Sequence, residues 1–329
     1  MKIPASLREA YSAQLDQCQR LQQQVDNYLR PHKHARWHYE SRLKSEEGFA
    51  LKVESGRVKN PAELEDFFAA TIVVRNGLEV AEAEKLVTGL FDFAYRKPRS
   101  DTDTHKRPDS FPFDDLRLYL RWKDDPTLPP TGLDGSLFEL QIKTFLQHAW
   151  SIATHDLTYK TDDVNWSTMR IAYQIKAMLE HAEVSIQEAT TLAKSDALSK
   201  SDGFTASLKE FIEAVVAIWP AADLPDDKRR LADNLMEVAG VVRFNAAAFR
   251  AFMEAEANAG RGPKTLNLSP YGAVIQSLID QKTAEFAKGL EYRAKAPAGK
   301  FRPILITREI VVPDSLKNAL WAKTTLMVG

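Results

Sequence analysis

Glu139, Gln141 and Lys143 alternate with Phe138, Leu140 and Ile142. That is the two-residue period of a strand with one buried side, and its other side presents a carboxylate, an amide and an ammonium to a cleft. Residues 36–44 also read as a strand, in which Arg42 and Lys44 point the same way. Ser45 followed by Glu46 and Glu47 has the composition of a helix N-cap with an acidic first turn, so that Lys52 falls about two turns into the helix. Three cations arriving from a strand end and a helix suit a polyphosphate. Leu64 to Val74 reads as a buried strand with Asp66 at its mouth. Two carboxylates from different strands plus a cationic clamp make a metal-nucleotide site, with Asp66 and Glu139 as the metal ligands.

The elements that must hold these groups follow from periodicity. Leu7, Tyr11, Leu15, Cys18, Leu21 and Val25 recur at three- and four-residue intervals, which predicts an amphipathic helix from Ser6 to about Tyr28. Then come a strand over Arg36–Lys44, a helix over Ser45–Glu54, a strand over Asp66–Val74, a helix over Leu78–Phe93, strands over Arg117–Trp122 and Leu137–Lys143, and a helix from Thr144 to about Leu157. Tyr95 to Pro112 reads as a long polar loop, of a length that is more often functional than idle. After Asp163 the pattern is helical over Trp166–Ala193, Gly203–Ile218, Asp226–Ala257 and Pro270–Arg293. The tail, Phe301–Thr307 and Glu309–Pro313, is β-like and is expected to form a hairpin or to add a strand to the first sheet. The expected class is α+β, a mixed sheet flanked by helices with a mainly helical C-terminal half. Its divisions are an N-terminal helix at 1–30, the site domain at 31–163 and a C-terminal region at 164–329.

Composition narrows the function classes. The chain has 329 residues, 44% of them hydrophobic, enough for one large or two ordinary domains with proper cores. Forty-four basic and 45 acidic side chains leave a net charge of -1, so no global field recruits nucleic acid and no DNA partner is expected. A single cysteine, Cys18, excludes an internal disulfide framework and fits a reducing cytoplasm. Neither a leader segment nor a membrane span is legible, and a soluble protein is expected.

In this order the residues resemble the RelA/SpoT synthetase domain: Arg42-x-Lys44-Ser45, Lys52, Asp66 entering an apolar strand, Lys97-Pro98-Arg99, Glu139-x-Gln141-x-Lys143-Thr144, then His155-x3-Tyr159-Lys160. The resemblance runs from about residue 36 to 160. It implies a pyrophosphokinase that moves the β,γ-pyrophosphate of ATP onto the ribose 3′-hydroxyl of GDP or GTP with Mg²⁺, or, as in toxic small members, onto the 3′ end of tRNA or an adenosine nucleotide. Carried over by position, Arg42, Lys44, Ser45 and Lys52 would bind ATP, and Glu139 could take the proton of the attacking hydroxyl. Phe113, Lys97, Arg117, Gln141, Lys143, Tyr159 and Lys160 would meet the acceptor. The partners implied are nucleotides, with tRNA, a neutralising or sensed protein, or a second copy as further candidates.

Two departures stand out. The family's Asp-x-x-Gly-x-Arg strand is Asp66-Phe67-Phe68-Ala69-Ala70-Thr71, without the arginine at 71, for which Arg75 is the nearest substitute. Its Asn-Gly-Tyr-x-Ser-x-His acceptor loop aligns with Pro112-Phe113-Asp114-Asp115-Leu116-Arg117, which keeps a ring for stacking and loses the phenol, the serine and the histidine. Stacking alone does not discriminate between bases. A catalytically degenerate nucleotide- or protein-binding module is therefore the competing reading. A general nucleotidyltransferase is disfavoured by the lack of a Gly-Ser turn with paired acidic residues. His148, Trp150 and His155, with no Cys or acidic partner at ligand spacing, read as core or supporting groups rather than metal ligands.

Overall fold

The first sheet is built from residues whose alternation demands one covered face. In the computed structural model, which describes residues 1–56, 58, 60–100, 115–154, 165–297, 299–317 and 323–328, the chain forms two compact units, Met1–Leu198 and Ser199–Gly329.

In the first unit, α1 (Ala5–His32) is followed by β1 (His38–Leu43), α2 (Glu46–Glu54), β2 (Phe68–Val74), α3 (Val80–Leu90), β3 (Asp92–Lys97), β4 (Leu116–Arg121), β5 (Leu137–Thr144), α4 (Phe145–Ala153), α5 (Trp166–Gln187) and the short α6 (Ala189–Leu192). The five strands lie in the order β1-β2-β5-β4-β3. β2 and β5 are parallel, and every other neighbouring pair is antiparallel. The sheet is mixed, as expected. Leu21, Val25 and Leu29 of α1 and Ala83 and Val87 of α3 cover its apolar face, which carries Ile72, Leu118, Phe138 and Leu140. A smaller cluster of Phe49, Leu64 and Phe67, backed by Tyr11 and Leu15, ties α2 to the N-terminal half of α1.

Local chemistry sets the element ends. The Ser45 hydroxyl accepts from the Gly48 N–H at 3.1 Å, capping α2 as its sequence predicts. Thr144 and Gln147 form a reciprocal capping box that starts α4 directly at the end of β5. The helix expected to run to Phe93 stops at Leu90, and Asp92–Lys97 is a strand instead of the start of a loop. Leu90, Phe91 and Phe93 continue an apolar pattern, so periodicity alone cannot see that pairing with β4 takes over. No helix among the described residues is long and apolar enough to cross a membrane.

The second unit is helical: α7 (Gly203–Ile218), α8 (Lys228–Val241), α9 (Ala246–Asn258), α10 (Pro270–Gln281) and α11 (Thr283–Ala294) surround a core that includes Phe211, Val215, Leu235, Phe249, Val274, Leu278 and Phe286. Two of the expected long helices are broken. Arg243 adopts φ 59° between α8 and α9, and Asn245 caps α9 by accepting from the Ala248 N–H at 2.9 Å. Lys282 separates α10 from α11. The tail corrects a second expectation. β6 (Ile304–Thr307) pairs in parallel with β7 (Thr325–Val328) in a separate two-stranded sheet, so it neither forms a tight hairpin nor extends the first sheet.

Candidate functional site

Residues paired across neighbouring strands share a face, so the register itself assembles the site. One row across the sheet is Arg42, Ala69, Glu139, Tyr119 and Tyr95, and the next is Glu40, Thr71, Gln141, Arg117 and Lys97. A third begins His38, Val73 and Lys143. All lie on the face opposite the α1 and α3 core.

At the centre Glu139 is only 4% exposed, yet both of its oxygens are served. Tyr119 donates its hydroxyl proton to Oε2 at 2.8 Å, and the Gln141 amide donates to Oε1 at 2.5 Å. Each oxygen keeps a lone pair for a further partner. Tyr119 stacks on Tyr95 with ring centroids 4.2 Å apart and planes 10° apart. A β-bulge makes this stack possible: Phe93 pairs with Leu120 and Tyr95 with Tyr119, so Ala94 is the extra residue that brings Tyr95 into line. The Lys97 ammonium lies 4.7 Å from the Tyr119 ring centre and 5.3 Å from that of Tyr95. Burial first, then the Glu139 charge, pushes the Tyr119 phenol far above its ordinary pKa, and burial and Glu65 do the same for Tyr95. Both remain proton donors at any working pH.

Asp66 organises the cationic end. Lys52 reaches its Oδ2 at 2.5 Å and Lys44 at 3.1 Å. Burial raises the Asp66 carboxyl, but the two lysines outweigh it and hold the group below the usual carboxylate range. Oδ1 of Asp66 is buried with no hydrogen-bond partner among the described residues. A hard oxygen donor in that state suits Mg²⁺, and the Glu139 carboxylate is a donor of the same kind with a lone pair left on each oxygen. The Lys44 backbone is itself fixed, its N–H donating to the Phe67 carbonyl at 2.8 Å while the Tyr11 hydroxyl donates to the Lys44 carbonyl at 3.1 Å. Arg42 is exposed on the neighbouring row.

The remaining expected residues scatter in role. The Ser45 hydroxyl is spent on its cap. Arg117 donates from Nε and Nη2 to Asp115 at 3.2 and 3.1 Å. Burial pushes the half-buried Lys143 below an ordinary lysine pKa. Thr71 is on the site face, whereas Arg75 bonds Glu79. Phe113, His155, Tyr159 and Lys160 lie outside the described residues. Tyr119 and Tyr95 were missed in the sequence. The alternation of Leu116, Leu118 and Leu120 already places Arg117 and Tyr119 on one polar face, and only the identity of the partner strand was lacking.

The family model described as "Region found in RelA / SpoT proteins" matches residues 41–164. A comparison with curated proteins returned no match. Among solved structures, small alarmone synthetase 1 from Bacillus subtilis is similar at 13% identity over 56% of this chain and 97% of its own, with a TM-score of 0.46. A GTP pyrophosphokinase family protein from Streptococcus pneumoniae is similar at 20% identity over 58% and 98%, with a TM-score of 0.37. The protein smu.1046c from Streptococcus mutans UA159 gives 14% identity over 58% and 97%, with a TM-score of 0.38. The matched segment begins at Ser41 in β1 and takes in α2, all the remaining strands of the first sheet and α4. It is residues 41–164, the segment that carries most of the polar sheet face, that are similar to the region found in RelA / SpoT proteins.

Proposed function

We propose that the polar sheet face is the active site of an ATP-dependent pyrophosphokinase. Two observations support this reading: the Lys44–Asp66–Lys52 cluster just past the end of β1 and before the start of β2, and a buried Glu139 on the neighbouring β5 that Tyr119 and Gln141 hold in place. Transfer of this kind needs positioning and charge neutralisation more than covalent participation by the protein. Arg42, Lys44 and Lys52 neutralise the phosphates of ATP. An acceptor ribose 3′-hydroxyl attacks the β-phosphorus, the bond to the α-phosphate oxygen breaks, and AMP leaves. Glu139 takes the proton of the attacking hydroxyl, while Tyr119 and Gln141 fix the direction of its carboxylate. Mg²⁺, held by Asp66 and Glu139 when bound, would supply neutralisation of the charge on the transferring group. Lys97, Arg117, Gln141 and Lys143 border the acceptor side, and a guanosine nucleotide or the 3′ end of tRNA would be the acceptor. The helical second unit is the candidate for regulation through a partner protein or a second copy.

A second reading has its own observation. Thr71 stands where the family resemblance expects arginine, and Lys44 and Lys52 are both committed to Asp66. A nucleotide-binding module that no longer turns over would look the same. Incubation with γ-labelled ATP, Mg²⁺ and, separately, GDP, GTP, ATP or total tRNA separates the two. Label in a guanosine nucleotide or in RNA is the expected result and names the acceptor. ATP binding without label in any acceptor would establish the binding module instead.

A further inference from the structure

At one end of the same sheet face, three side chains converge that the proposed transfer does not use. His38 and Glu40 are two residues apart on β1 and so share its polar side, and His148 comes from the first turn of α4. Their ligand atoms all lie within 4.8 Å of one another. His38 Nε2 is 4.0 Å from Glu40 Oε2, His148 Nδ1 is 4.0 Å from Glu40 Oε1, and the two imidazole centres are 5.7 Å apart. At 4.0 Å these are not hydrogen bonds. His148 is 8% exposed, and its Nδ1, the atom facing Glu40, is buried with no hydrogen-bond partner among the described residues. Such a buried, unpartnered nitrogen is uncommon in a native protein and calls for a partner that is not protein.

We infer that His38, Glu40 and His148 form a binding site for a divalent transition-metal ion of the zinc class. Two imidazoles and one carboxylate select for zinc, cobalt or nickel over magnesium, which prefers an all-oxygen shell. Bonds of about 2.0–2.1 Å place the donors of one tetrahedral ion roughly 3.3 Å apart. The contraction required falls on His38 and Glu40, whose side chains are exposed and free to rotate inward, while His148 stays fixed in the α4 packing. Lys143 is near enough to feel the Glu40 charge, so a bound dication competes with its ammonium for that carboxylate. With three protein ligands, one coordination position stays open to water or an added anion. The ion would tie the edge strand β1 to α4 and brace the strand that carries Arg42 towards its other end.

The test uses full-length, untagged, metal-stripped protein titrated with Zn²⁺ against a chromophoric zinc indicator and with Co²⁺ followed by visible absorption. One equivalent of Zn²⁺ or Co²⁺ should bind at this site, and the rise in melting temperature that Zn²⁺ brings should shrink in His38→Ala and Glu40→Gln. His38→Ala and Glu40→Gln, both at exposed positions, should each weaken Zn²⁺ binding by at least about tenfold, while His32→Ala and His181→Ala leave it unchanged. Binding that survives both site variants, binding lost in the two control variants, or no Zn²⁺ binding at tenfold molar excess would each overturn the site. Because the readout is metal affinity, an inactive transferase would leave this result intact.

Discussion

Glu139→Gln preserves the shape of the side chain and its contact with Tyr119 while removing the charge and the basic oxygen. Transfer of label from ATP should fall by about two to three orders of magnitude, the usual loss when a transition-state contact disappears, with cooperative melting retained. Asp66→Asn should behave alike and should also release Lys44 and Lys52, so ATP affinity is the measurement that separates the two variants. Unchanged turnover in either would remove that carboxylate from the mechanism. Tyr119→Phe leaves the Tyr95 stack and deletes one donor to Glu139. It should lower kcat by about tenfold or more with little change in the KM for ATP, and an equal rise in KM would reassign Tyr119 to substrate binding. Glu79 gives a pH signature. It accepts from Trp37 Nε1 at 2.9 Å and from Arg75, whose hydrogen bond does most to hold its pKa at about 2. A carboxyl lowered by folding adds stability above its unfolded value, about 4.3, and loses it as pH falls towards 2. Glu79→Gln should therefore flatten the acid side of a melting-temperature profile between those pH values and leave its slope near neutrality alone.

Elements, rather than single groups, explain where the site stands. β1 carries Arg42 and hands the chain through Lys44 and the Ser45 cap into α2, so a short stretch delivers Lys44 and Lys52 to Asp66 and sets Arg42 on the adjacent row of the sheet. Ser45→Ala removes the Gly48 contact and should cost about 1 kcal/mol of stability, read by chemical denaturation; a larger fall in ATP affinity would mean that Ser45 also meets the nucleotide. In the second unit, helix packing sets a different demand. A Cβ on Gly289 of α11 would come within 2.0 Å of the Val241 carbonyl oxygen at the end of α8. That neighbour is backbone and cannot turn aside. Gly289→Ala should destabilise the protein by about 1–3 kcal/mol, and a melting temperature equal to wild type would contradict this α8–α11 packing.

On the scale of the molecule, the site face and its supporting core belong to residues 1–198, and the helices of 199–329 enclose a core of their own. A chain ending at Leu198 should fold cooperatively and bind ATP, because it keeps every described site residue together with α1, which supports both Lys44 and the apolar face of the sheet. Calorimetry and nucleotide titration of that fragment check this. A fragment that is unfolded would show that the second unit is needed for stability, and a fragment more active than the full chain would support the regulatory role proposed for it.

The sequence by itself determined four of the five strands of the site, β3 excepted, and the Ser45 cap with Lys52 two turns beyond it, because these follow from periods of two or four residues and from the chemistry of chain neighbours. The same local rules placed Glu139, Gln141 and Lys143 on one side of β5. They could not identify partners distant in the chain. Tyr119 meets Glu139 across 20 residues only because β4 pairs with β5, and Tyr95 joins it through a bulge that no composition announces. His148 read as a supporting histidine for want of an acidic neighbour at ligand spacing, and the neighbours it has, Glu40 and His38, come from a strand more than a hundred residues earlier. The breaks at Arg243 and Lys282 were hidden for the opposite reason: the apolar pattern continues through each corner, and only packing around a shared core decides that the helix must turn there.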